Sequence, residues 1–124
     1  MDHLSLRGRL TAVLAALLGA LSVGAGAFGA HAMGQDPRAV HLLGTGAAYG
    51  LWHVLAALFA LWLGAETIGL LFALGVLLFS SSLFGLALGG PAILGLVTPF
   101  GGTAFILGWL LLAWRLGRRG GRRG

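Results

Sequence analysis

His53 stands deep in an apolar run from Ala39 to Ala65, with Tyr49 one helical turn before it. Histidine is the side chain that titrates near neutral pH. An ionisable group so far inside an apolar helix is a functional candidate and is expected to face protein rather than lipid. Ser80, Ser81 and Ser82 supply hydroxyls from a later run, and Thr98 supplies one from the last. At about 1.5 Å of rise per residue, Tyr49 lies roughly 14 Å from the outer end of its helix, His53 roughly 20 Å, and the three serines roughly 11–14 Å below Gly89. Those depths allow one polar belt across the second, third and fourth helices. Its chemistry would be either helix-to-helix hydrogen bonding, at around 1 kcal/mol per bond, or the handling of a proton, ion or small ligand. The spans contain no Asp or Glu. His53 therefore has no acid–base partner and no nucleophile–base set is visible. The chain is expected not to be an enzyme and to use no cofactor.

Two weaker signals lie nearby. His31 and His41 flank the first loop, with Asp36 between them. Two histidines and a carboxylate make at most a weak divalent-metal site, and metal binding is not expected. Gly24-Ala25-Gly26-Ala27-Phe28-Gly29 matches G-x-G-x-x-G in letters. The dinucleotide fingerprint must follow a strand, open a helix and precede an acid about 20 residues on. This stretch does none of these, and close helix contact is the better reading. Cysteine is absent, which excludes disulfides and thiolate chemistry.

The elements that must position these residues are membrane helices. Hydrophobic residues make up 58% of the chain and charged ones 9%, too little polar material to cover a water-soluble fold. No charge occurs from Thr67 to Trp114, a length that exceeds the ~20 residues of one crossing. Gly89-Gly90-Pro91 divides that run into two crossings, and two more precede it. The expected fold is an all-α integral membrane protein, a single four-transmembrane-helix bundle over residues 1–124. Its helices are expected at about 10–32, 39–63, 68–88 and 92–114, with 115–124 an Arg/Gly-rich tail. A-x-A at Ala30-His31-Ala32 resembles a signal-cleavage site. The apolar stretch before it is longer than the ~7–15 residues of a signal core, so the first run is expected to remain as a helix.

Arginine placement predicts orientation. The net charge of +5 rests on arginine alone, and every arginine but Arg38 lies before the first helix or after the last. Basic ends mark the cytoplasmic side, so both termini are expected there, with the tail on anionic lipid headgroups. Membrane orientation accounts for the high basicity without nucleic acid. Small residues recur along the first helix, with Ala12, Ala16, Ala20 and Gly24 in one row and Ser22, Gly26 and Ala30 in a neighbouring one, and Gly29 is a further packing position. Lipid-embedded helices associate over such residues, which makes this helix the expected packing centre. Gly85 and Gly89 are the matching positions on the third. Pro99, Gly101 and Gly102 predict a kink in the fourth, Trp62 reads as an interfacial anchor, and Trp109 and Trp114 are expected near the cytoplasmic end of the fourth helix.

Gly26-Ala27-Phe28-Gly29-Ala30-His31, Tyr49 followed by His53, Phe79-Ser80-Ser81-Ser82-Leu83, and Thr98-Pro99-Phe100-Gly101-Gly102 followed by Gly108-Trp109 occur in this order. The pattern resembles the domain-of-unknown-function 423 (UPF0382) family of small bacterial inner-membrane proteins, and is similar to the eukaryotic transmembrane protein 256. The resemblance covers nearly the whole chain. It implies four membrane helices and a multi-pass protein of the bacterial cytoplasmic membrane, and it supplies no activity. The family typically shows Ser-Gly-Ser followed by Leu-Tyr, where this chain has Ser80-Ser81-Ser82 and then Phe84. A mechanism built on a tyrosine hydroxyl there does not apply. Two functional expectations follow. One is a non-enzymatic accessory protein that packs against lipid, a second copy or another membrane protein. The other is a small transporter or channel subunit that uses the His/Tyr/Ser belt.

Overall fold

Hydropathy marks the apolar windows, but capping groups set where each helix begins and ends. A computed structural model describes the backbone of residues 1–121 and the side chains of residues 1–118. It holds four α-helices: α1 (Leu6–Ala32), α2 (Pro37–Trp62), α3 (Glu66–Ala87) and α4 (Leu94–Gly121). All four are long and apolar enough to cross a membrane. α1 starts earlier than its hydropathy predicts because Ser5 caps it, its hydroxyl accepting from the Gly8 N–H at 3.2 Å. Asp36 caps α2 through the Ala39 N–H at 3.1 Å. Pro37 then occupies the first helical position, where its missing N–H costs nothing.

Two glycines stop the inner helices. Gly64 (φ +80°) and Gly89 (φ +88°) are the positive-φ residues among those described. Each follows a helix C-cap. The Ala65 N–H reaches back to the Ala60 carbonyl at 2.8 Å, and the Gly90 N–H to the Gly85 carbonyl at 2.8 Å. Both are Schellman closures, which favour glycine because a Cβ crowds the left-handed conformation. Gly89 therefore shapes a turn, and a Cβ there would meet nothing within 4 Å. At the other end of the sequence, α4 continues well past Trp114. The expected tail is thus helical as far as Gly121. Residues 122–124, with Arg122 and Arg123, and the Arg119 side chain lie outside the described residues.

The helices run up and down in sequence order. α1 lies along α2 with a lesser contact to α3, and α4 lies along α3. The expected centre is displaced: half of the most apolar window of α3 is buried and 44% of that of α2, against 28% for α1 and 22% for α4. On α1, Ala16, Ala20 and Gly24 are exposed, and nothing lies within 4 Å of a Cβ at Gly24. The buried row is Gly8, Thr11, Ala15, Leu18, Ser22 and Gly29. Geometry explains the correction. A strict four-residue row drifts about 40° around a 3.6-residue helix at each step, whereas alternating steps of three and four stay on one face. Gly26 and Gly29 lie where the α1–α2 seam is tight, since a Cβ would come 3.2 Å from that of Ala47 and 3.0 Å from that of Leu43, respectively.

Glycines and aromatic rings interlock between α3 and α4. A Cβ on Gly75 would meet the Phe105 ring at 2.8 Å, and one on Gly108 the Phe72 ring at 2.6 Å. Gly101, expected to loosen a kink, instead admits the backbone of α3, with the Gly75 carbonyl 2.7 Å from the site of its Cβ. α4 is an unbroken helix through Pro99, whose carbonyl accepts from the Thr103 hydroxyl at 2.8 Å. Gly102 is half-buried beside the Phe79 ring, and Gly85 makes room for Leu94.

Candidate functional site

His53 is 6% exposed, and both of its ring nitrogens are engaged. Nδ1 lies 2.7 Å from the Tyr49 carbonyl one turn back. The Trp109 indole N–H donates to Nε2 at 3.0 Å. An indole N–H only donates. Nε2 is therefore unprotonated, and the proton of the neutral ring sits on Nδ1 and is donated to the Tyr49 carbonyl. The imidazole also stacks on Phe105 with centroids 3.6 Å apart and planes 9° from parallel. Phe72 and Trp109 complete its enclosure, each at 5.9 Å. This node joins α2 to α4 across the face of α3.

The hydroxyls form separate nodes further toward the end that carries the α1–α2 and α3–α4 loops. Ser80 donates to the Gly46 carbonyl at 2.7 Å and thereby ties α3 to α2. Gly50 lies beside it, where a Cβ would collide with the hydroxyls of Ser80 and Ser22. Ser22 is 1% exposed and its hydroxyl has no hydrogen-bond partner among the described residues. Ser82 and Thr98 bond each other at 2.6 Å and tie α3 to α4. Each also bonds a carbonyl of its own helix, that of Phe79 and of Leu94 respectively.

The expected single belt is thus divided. His53 shares no hydrogen bond with a serine, and Ser81 is half-buried without joining a bridge. Tyr49 contributes its carbonyl. The residue is 40% exposed, and its ring leans on Trp52 and Phe79 at 5.0 and 5.2 Å. His31 and His41 are both exposed, and among the described residues no three metal-ligating side chains come together. Asp36 is committed to capping α2.

The partners of His53 were the residues least visible in advance. Trp109 carried no expectation beyond a place near the cytoplasmic end of its helix, and its indole reaches inward although the residue is 47% exposed. The four-residue spacing of Phe105 and Trp109 matches that of Tyr49 and His53, and was the available signal.

At the end that carries both termini, charged side chains close the bundle. Glu66 accepts from the Ser5 N–H at 2.7 Å and from the Ser5 hydroxyl. Arg7 donates to the Thr67 hydroxyl at 3.0 Å. His3 and Arg115 approach the Leu61 and Leu63 carbonyls at 3.1 and 3.2 Å. The Arg115 charge is favourably placed at the carbonyl end of α2. Trp62 and Trp114 are well exposed at this same end.

The model of a family described as "Protein of unknown function (DUF423)" matches residues 25–102, which include His53, the serines and Thr98 but stop short of Phe105 and Trp109. The UPF0382 inner membrane protein YgdD of Escherichia coli K12 is 37% identical over 90% of this chain and 95% of its own length. The UPF0382 membrane protein YwdK of Bacillus subtilis is 36% identical over 81% and 89%. A Staphylococcus epidermidis UPF0382 membrane protein is 38% identical over 81% and 88%. No solved structure matches the chain. With four candidate spans and relatives named as bacterial membrane proteins along most of its length, the chain belongs to the DUF423 (UPF0382) family and is a multi-pass protein of the bacterial cytoplasmic membrane.

Proposed function

We propose that this protein is a non-enzymatic membrane component that acts through the outer surfaces of its bundle, packing against lipid, a second copy or the helices of another membrane protein. The observation that carries this reading is the state of His53. Its two nitrogens are spent on Tyr49 and Trp109, and aromatic rings enclose it. A transport site needs polar groups left free to exchange partners, and here the chain itself engages both nitrogens of the one ionisable group at the centre. The seven arginines in the first turn of α1 and at or after the end of α4 support an orientation with both termini in the cytoplasm. Near-surface arginines there would each gain about 1 kcal/mol from anionic headgroups. α4 supports this placement, because 28 residues span roughly 42 Å and carry its basic turns beyond a hydrocarbon core of about 30 Å.

The test is flux through liposomes that hold the purified protein. The expected result is proton and ion leakage equal to that of empty vesicles, for wild type and for His53→Ala alike. Flux that disappears in His53→Ala would overturn the reading in favour of a transporter or channel subunit.

A further inference from the structure

α4 owes most of its packing to α3, and its ties to α2 are made by side chains. Near the termini, Arg115 reaches the Leu63 carbonyl. Deep in the bundle, the tie consists of Trp109 bonded to His53 and Phe105 stacked on it. The deep tie depends on one lone pair, because the Trp109 bond exists only while Nε2 of His53 is unprotonated. A proton placed on Nε2 turns the acceptor into a donor. Two N–H groups would then face each other, and the imidazolium would have no counter-charge. Among the described residues Tyr49 is the single titratable group against the ring, from α2 itself. Phe72 faces it from α3, and Phe105 and Trp109 from α4. No group of α1 has a bond or ring contact with His53 among the described residues.

We propose that His53 and Trp109 form a proton-controlled latch between α2 and α4. With neutral His53 the latch is closed as described. Proton uptake at Nε2 expels the Trp109 indole outward from the bundle, where the residue is already 47% exposed, and α4 parts from α2 at mid-depth while remaining on α3. The deep contact is suited to such a release because one atom controls it, whereas the glycine–aromatic interlock of α3 and α4 contains nothing that titrates.

Two independent readouts test the latch in nanodiscs. In the first, Trp52→Phe, Trp62→Phe and Trp114→Phe leave Trp109 as the sole tryptophan. Its emission, followed from about pH 8 to pH 4 around the ordinary histidine range, is expected to change in a single step. His53→Gln can still accept the indole bond but has no proton to gain, and is expected to abolish the step. In the second, spin labels on Leu55→Cys and Ile106→Cys, at the depth of the latch and away from the Arg115–Leu63 tie, use the absence of native cysteine. Both positions are exposed, so the labels leave the core intact. The α2–α4 distance should lengthen through the same step, and Trp109→Phe should show the longer distance at every pH. A flat emission profile, a step that survives His53→Gln, or a label distance that does not change with pH would each overturn the proposal. The spin-label pair reads the outcome even if the triple tryptophan variant fails to fold.

Discussion

The α1–α2 seam and the α2–α4 contact hold the bundle together by different physics. Along α1, glycine and alanine meet aliphatic side chains of α2, and the attraction is dispersion between closely approaching surfaces. Between α2 and α4, a few directional contacts converge on one imidazole. The first kind of contact is spread over many small gaps, so it fails when volume is added. The second is concentrated, so it fails when chemistry is changed at constant volume. In lipid neither helix is driven inward by hydrophobicity, because the solvent is as apolar as the side chains.

The sharpest way to break the comparison is to add volume where backbones nearly touch. Gly101→Val would drive a side chain against the Gly75 carbonyl and the Phe79 amide, neither of which can rotate away. A loss of about 3 kcal/mol is expected, at the upper end of overpacking costs. Reversible unfolding in mixed detergent micelles would read it. Removal of the imidazole comes next. His53→Ala leaves a hole against Phe105 and an unpaired indole N–H, at about 2 kcal/mol. His53→Gln should recover more than half of that loss in the same assay. A smaller effect is expected from Ser82→Ala, which removes the bridge to Thr98 at around 0.6–1 kcal/mol. The least is expected on the outside of α1. Ala20→Leu should change stability by no more than about 0.5 kcal/mol, while Ala15→Leu, at a fully buried site, should cost about 1–3 kcal/mol. Equal effects from these two would mean that the three-and-four seam is wrongly placed.

Much of the fold was legible before the structure because its signals are local. An uncharged stretch as long as Thr67–Trp114 must cross twice, and Gly89 with Pro91 marks where it turns back. The helix starts were less legible, since Ser5 and Asp36 act through capping bonds that leave no trace in hydropathy. The α1 face was misread for a related reason. A row of small residues at every fourth position looks like a seam in one dimension, but helical twist carries it off the contact. With 23 glycines in the chain, small residues fall on both rows.

The candidate site was legible in part. His53 stood out because an ionisable group in an apolar helix is costly, and it is buried as that cost requires. Its partners did not stand out. The serine hydroxyls lie nearer the loop end than the histidine, face different neighbours and never join it. Ser22 was read only as a packing position in a row with Gly26 and Ala30, whereas it is almost fully buried with its hydroxyl beside Ser80 and Gly50.

By itself, the sequence determined that this chain crosses a membrane four times, where it turns, and which of its residues is out of place in lipid. Each of these follows from the local cost of a charge, a length or a missing hydrogen bond. Only the tertiary structure decided which face of α1 is inside, that α2 and α3 form the centre, and that Trp109 rather than a serine completes His53. The physical reason is that both faces of these helices are apolar, so polarity does not distinguish the face that meets lipid from the face that meets protein. That choice depends on shape, and shape matching becomes visible only when two helices are placed side by side.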